Sequence, residues 1–168
     1  MTNETHETNT ALRVVLGADH RGLHTARAIA ETLGELGYSA RIVEHCSDGP
    51  CDYPEQAWLV GQEITGGNAD RGILICGTGI GMSIAANKIH SLRAALVHDE
   101  LTARLSRSHN DANVLCLSAD LLGERLIDKI IEVWMSEPFE GGRHARRLEK
   151  IIAIEAGKDP TGAGVVSS

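Results

Sequence analysis

Cys76-Gly-Thr-Gly-Ile-Gly81 places a thiol directly after the apolar run Ile73-Leu-Ile75 and sets glycines at alternate positions 77, 79 and 81. Ser83-Ile-Ala-Ala-Asn-Lys88 then reads as helix. A strand that runs into a glycine turn and a helix start makes an anion site, because the first-turn N–H groups have no helical partner. A cysteine beside such a turn can have its thiolate stabilised and serve as an acid/base group. Simple burial at a strand end is the alternative for the same residue. The thiol and the turn together suggest chemistry on a small anionic substrate.

Other polar groups recur near the ends of strand-like runs. Asp19-His20 follows Leu12 to Gly17, and His98-Asp99-Glu100 follows Arg93 to Val97. Asp111-Ala-Asn113 stands before the run Val114 to Leu117, at its wrong end, while His109-Asn110 closes the preceding helix. In open α/β sheets the carboxyl ends of the strands line the ligand crevice, which favours Asp19, His20 and Cys76 as a group. His20 could bind phosphate or be oriented by a carboxylate; a loop histidine beside a helix-capping aspartate is the other reading. His109 is equally open, as one of eight histidines on a helix end. Arg143 and Arg147, one helical turn apart, could reach one phosphate, although solvated helix charges are the default.

The elements that must position these groups alternate. Strand-like runs cover 12–17, 39–43, 71–76, 93–97 and 114–117. Helical patterns cover 22–36, about 54–64, 80–89, 100–108, a segment through Trp134, and about 143–156. Ala26, Ile29, Leu33 and Leu36 form one helical face, ended by Gly37; Leu126, Ile127, Ile130, Ile131 and Trp134 form another. Nearly continuous apolar strands alternating with helices predict a five-stranded parallel sheet between two helical layers, a three-layer α/β sandwich. One domain spans 11–156, between a polar, disordered tail at 1–10 and a loose end at 157–168. The last helix carries Leu148, Ile151 and Ile152 after a glycine-rich break, and we expect it to contact a partner subunit.

The 168 residues can bury roughly 70% of their unfolded surface, and 42% are hydrophobic. No 18-residue apolar run exists, and no signal-like segment begins the chain, which predicts a cytoplasmic protein off the membrane. With 16 basic against 23 acidic residues, the net charge of -7 gives no footprint for nucleic acid. Cys46, Cys51, Cys76 and Cys116 are expected to be free thiols, and no second pair completes a zinc pattern. Gly77 to Gly81 is too tight for a dinucleotide fingerprint and follows the third strand, not the first. No Gly-Lys-Ser/Thr appears for a phosphate loop of the Walker type.

Six segments in order carry a resemblance over about residues 12 to 155: Gly17-Ala-Asp-His-Arg-Gly22, Asp52-Tyr-Pro54, Gly72-Ile-Leu-Ile-Cys-Gly-Thr-Gly-Ile-Gly81, Ala85-Ala-Asn-Lys88, Ser106-Arg-Ser-His-Asn110 and Glu140-Gly-Gly-Arg-His144. In these the chain resembles the ribose-5-phosphate isomerase B family of sugar-phosphate isomerases. The resemblance implies a Rossmann-like sandwich without a nucleotide, a homodimer or dimer of dimers with shared active sites, and no metal or organic cofactor. It further implies interconversion of D-ribose 5-phosphate and D-ribulose 5-phosphate through an enediolate.

By the same resemblance, Cys76 matches the base between C1 and C2, Thr78 a proton shuttle, and His109 the ring-opening histidine. Asn110 and the backbone of Gly77, Gly79 and Gly81 match donors to substrate or enediolate oxygens. Asp19 and Tyr53 match sugar-site positions. His20, Arg143 and Arg147, with His144 as an additional contact, match phosphate-binding positions. Family members often carry an aromatic residue where Leu101 stands here, and the 44–52 loop matches no one sugar. Allose 6-phosphate, a tetrulose phosphate or a non-catalytic phosphosugar-binding role therefore stay as alternatives.

Overall fold

A computed structural model describes residues 12–43 and 49–162. Apolar runs with alternate side chains on opposite sides form five strands: β1 (Arg13–Ala18), β2 (Ser39–Ile42), β3 (Arg71–Cys76), β4 (Ala94–Leu96) and β5 (Val114–Ser118). All pair in parallel, in the order β2-β1-β3-β5-β4. Six helices intervene or follow: α1 (Leu23–Glu35), α2 (Tyr53–Thr65), α3 (Ile80–Ala86), α4 (Glu100–Ser108), α5 (Glu124–Ser136) and α6 (Arg143–Glu155).

The strand period of two divides the core between the two faces of the sheet. Leu16, Ile73, Ile75, Leu115 and Leu117 pack with Ile29 and Leu33 of α1, Ala103 of α4 and Ile130 and Trp134 of α5. Val15, Leu74, Cys76, Val114 and Cys116 face the other way, against Ala57 and Val60 of α2 and Met82 and Ala86 of α3. This is the expected three-layer sandwich with a five-stranded parallel sheet. After β1 the chain turns to α1 on one face, whereas after β3 it turns to α3 on the other. The two helices leave toward opposite faces, the arrangement that in open α/β sheets sets a ligand crevice at the carboxyl ends of neighbouring strands.

Local signals explain the element ends. Asp99 caps α4, its Oδ1 accepting from the Thr102 N–H at 2.7 Å, and these hydrogen bonds hold its carboxyl below the ordinary range. The expected helix over 80–89 ends at Ala86, where the Asn87 side chain donates back to Ser83 O at 2.9 Å and also holds β4. Its amide donates to Ala94 O at 2.9 Å and accepts from Ala94 N at 3.0 Å. That pairing also blunts a sheet edge.

Two expected core positions are exposed. Leu36 is 43% exposed, since it follows the last turn of α1 where Gly37 reverses the chain. Leu126 is 36% exposed, because Ile127, Ile130, Ile131 and Trp134 already complete the buried i, i+3, i+4, i+7 stripe. Free thiols hold for Cys76 and Cys116, but Cys51 is disulfide-bonded, which corrects the expectation for that residue. The tail expected at 1–10, Cys46 and the 44–48 part of the variable loop, and residues 163–168 lie outside the described residues. No described helix is long and apolar enough to cross a membrane.

Candidate active site

Cys76 ends β3 at 5% exposure. The chain then turns through Gly79, whose φ of 76° is open to glycine and strained for other residues. This turn brings the Gly79 N–H back to Cys76 Sγ at 3.1 Å, a donor placed to accommodate charge on the sulfur. Thr78 is exposed at the tip, its Oγ1 accepting from the Ile80 N–H at 3.3 Å. A Cβ built on Gly81 would lie 2.5 Å from the Tyr53 ring, so the ring rests directly against the start of α3. Asp19, buried to 6% exposure, joins the same edge. Its N–H donates to Ile75 O at 3.2 Å, and its Oδ1 accepts from the N–H groups of Arg21 and Gly22 at 2.9 and 3.0 Å. His20 is exposed beside it. The structure therefore brings together Asp19, His20, Tyr53 and the 76–81 turn.

His109, Asn110, His144 and Arg147 form a separate group, lining a pocket of about 150 Å³ with Leu148 and Ile151. The turn after α4 is pinned before it can present them. Arg107 Nη1 donates to Asp111 Oδ1 at 2.8 Å and Ala112 O at 2.7 Å, while Arg93 Nε donates to Asn110 O at 3.2 Å and Asp111 O at 2.9 Å. Glu140 N–H donates to Ser108 O at 3.0 Å and draws in the double-glycine turn that opens α6. The His144 ring then stacks on His109, with centroids 4.0 Å apart and 8° between planes. Arg143 Nε donates to His144 Nε2 at 3.3 Å. The ligand atoms of His109, Glu140 and His144 lie within 4.8 Å of one another. Parallel stacking nevertheless sets the two imidazole lone pairs in separate planes, and one ion cannot lie in both without a ring turning.

The two groups lie at opposite ends of the strands. Cys76 pairs with Ser118 at the carboxyl end of β5, whereas His109 and Asn110 precede the amino end of that strand. Five strand residues put about 13–16 Å between those ends. Sequence reading associated these residues through one reaction; within a single chain they do not meet.

Burial, then the charges of His109 and Arg143, lowers the His144 pKa from 6.5. Above about pH 6.5 the neutral ring is tolerated in both folded and unfolded chains. As pH falls through that value the unfolded chain takes up the proton first, so the stability contribution is lost on acidification. Thermal melts from about pH 7.5 to about 5.5 should show a falling midpoint, and the fall should be shallower in His144→Gln.

Three residues at the Cys76 edge escaped the sequence reading. The Ser118 hydroxyl donates to Gly77 O at 2.6 Å. Arg21 donates to Asp120 through Nε and Nη2 at 3.0 and 2.6 Å. Only the register of β5 against β3 could have pointed to Ser118 and Asp120, and a lone sequence does not carry it.

Residues 14–151 match the family described as Ribose/Galactose Isomerase. The chain is 41% identical over 143 residues to ribose-5-phosphate isomerase B of Escherichia coli, covering 85% of this chain and 96% of that protein. It is 38% identical over 141 residues to D-erythrulose-4-phosphate isomerase of Pectobacterium atrosepticum, covering 83% and 93%. The structure of ribose-5-phosphate isomerase B from Mycoplasma genitalium with bound ribulose-5-phosphate superposes with a TM-score of 0.82 and 40% identity, covering 88% of this chain and 98% of that one. With the strand-end cysteine, the glycine turn and the parallel sandwich all in place, the chain belongs to the ribose/galactose isomerase family.

Proposed function

We propose that this protein interconverts D-ribose 5-phosphate and D-ribulose 5-phosphate in sites built from two copies of the chain. The observation that carries the reading is the Cys76 sulfur, held at the mouth of the sheet with the Gly79 N–H aimed at it. A proton next to a carbonyl is weakly acidic, so its removal needs a close base together with donors for the enediolate oxygen. Cys76 takes the proton from one carbon and returns it to the next. The backbone of Gly77, Gly79 and Gly81 receives the oxygen, and Thr78 moves protons between oxygens. Asp19 and Tyr53 line the sugar.

A second copy supplies the rest. His109 opens the furanose ring and Asn110 supports the sugar oxygens. Arg143 and Arg147, with His144, meet His20 around the phosphate, a dianion suited to charged donors. The separation of the two groups across one sheet supports this division. So does α6, where Ile151, Ile152 and Ile154 are 44%, 50% and 60% exposed, an apolar stripe suited to a homodimer contact. A tetrulose phosphate is the second reading, favoured by the Pectobacterium relative.

After exhaustive chelation, the protein should convert ribose 5-phosphate with an undiminished rate and exchange the C2 proton with solvent deuterium. Preference for erythrulose 4-phosphate in the same assay would replace the substrate and keep the chemistry. Saturable binding of both sugars without exchange would leave only a phosphosugar-binding protein.

A further inference from the structure

The turns that follow β1, β3 and β5 converge on one point, and the side chain at that point has no part in the chemistry above. Arg21 reaches across the β3 turn, where a Cβ built on Gly77 would lie 3.0 Å from Arg21 Nε and 2.9 Å from Asp120 Oδ2. Both Arg21 bonds fall on that one oxygen, Oδ2 of Asp120. The backbone beneath is fixed from three sides. Asp19 Oδ1 accepts from the Arg21 N–H, and Gly77 O accepts from the Ser118 hydroxyl and the Asp120 N–H.

This ion pair is poorly explained as a structural clamp. Its side chains are 56% and 39% exposed, and exposed pairs of this kind add little stability. Its geometry is better suited to presentation. The carboxylate engages Nε and one Nη2 hydrogen, which orients the planar fork and leaves the Nη1 face of a five-donor group for a ligand. The fork lies over Gly77, the residue after Cys76, and is exposed to solvent where the sulfur is buried. A solvated dianion fits there better than a developing enediolate.

We propose that Arg21 is a further substrate-positioning residue, which hydrogen-bonds the anionic phosphate of the sugar, and that Asp120 aims it and moderates its charge. The inference rests on the sugar-phosphate reading of this site. It gives Arg21 and Asp120 effects of opposite sign. Removing the guanidinium takes away a charge-assisted donor, whereas Asp120→Asn keeps an acceptor for orientation and removes a negative charge that opposes the ligand.

Inorganic phosphate is the probe, measured by calorimetry on the full chain and as a competitive inhibitor of ribose 5-phosphate turnover. Arg21→Ala should weaken phosphate about tenfold or more, the size of one charge-assisted hydrogen bond. KM should rise by a similar factor, with the larger share in KM than in kcat, and Arg21→Lys should recover part of the loss. Asp120→Asn should tighten phosphate several-fold. Unchanged phosphate binding in Arg21→Ala overturns the inference, as does weaker binding in both variants with lowered thermal midpoints, the signature of a clamp. A wild-type protein inactive on every phosphorylated sugar, yet showing the opposite-sign phosphate pattern, would sink the isomerase reading and leave the role of Arg21 standing.

Discussion

Cys76→Ala should lower ribose 5-phosphate turnover by about 10³-fold, within the range for loss of a positioned acid/base group. The fold should survive, because alanine fits the same small space at the end of β3 and the sheet pairs through the backbone. Phosphate should still bind, since the Cys76 sulfur bonds to the Gly79 N–H and to none of the groups proposed to hold phosphate. Loss of C2 proton exchange in step with turnover would locate the defect in proton transfer. A variant that keeps more than about a tenth of the wild-type rate would show that the thiol is merely packed, since general catalysis is worth far more than tenfold. The other free thiol among the described residues offers no substitute. Cys116 lies on the same face of the sheet, but complete burial, and to a lesser degree the neighbouring Cys76, push its thiol well above the ordinary range. Access to the crevice, and not residue type, separates the two cysteines.

Replacing Arg143 and Arg147 together by alanine should reduce kcat/KM by about 10²- to 10³-fold, from two charge-assisted contacts to a dianion. Mixing this double variant with Cys76→Ala, followed by dissociation and reassembly, should restore activity that neither has alone. In an isologous dimer each mixed pair holds one site with every group intact. Random assembly of equal amounts therefore gives about a quarter of the wild-type rate. Sites complete within one chain would give no recovery. The mixed experiment thus tests the shared site separately from the chemistry, which Cys76→Ala tests by itself.

Much of the architecture was legible because it is local. The periods of two and about 3.6 located the five strands and six helices of the described residues, with end errors where a side chain made a bond across the fold. Asn87 is one case: its residue type does not reveal that its amide will bridge Ser83 of α3 and Ala94 of β4. Leu36 and Leu126 are another. Periodicity says that an apolar residue lies near a stripe, but the neighbouring layer decides where the stripe is covered. Cys51 shows the same gap for covalent pairing, since free thiols were expected and a disulfide is found.

The amino-acid sequence by itself determined the chemistry available at the opening motif: a thiol at the end of an apolar strand, a glycine turn able to fold N–H groups back toward it, and histidines and arginines further along. These are properties of residue type and of neighbours within a few positions. Only the tertiary structure decided which of them share a site. A parallel strand and its return helix run in opposite directions, so Cys76 lies at the carboxyl ends of the strands while His109 is carried back to their amino ends. Strand order likewise set Asp120 against Arg21, 99 residues away. Local sequence specifies the direction of each element; the order in which the elements pack specifies what each end meets.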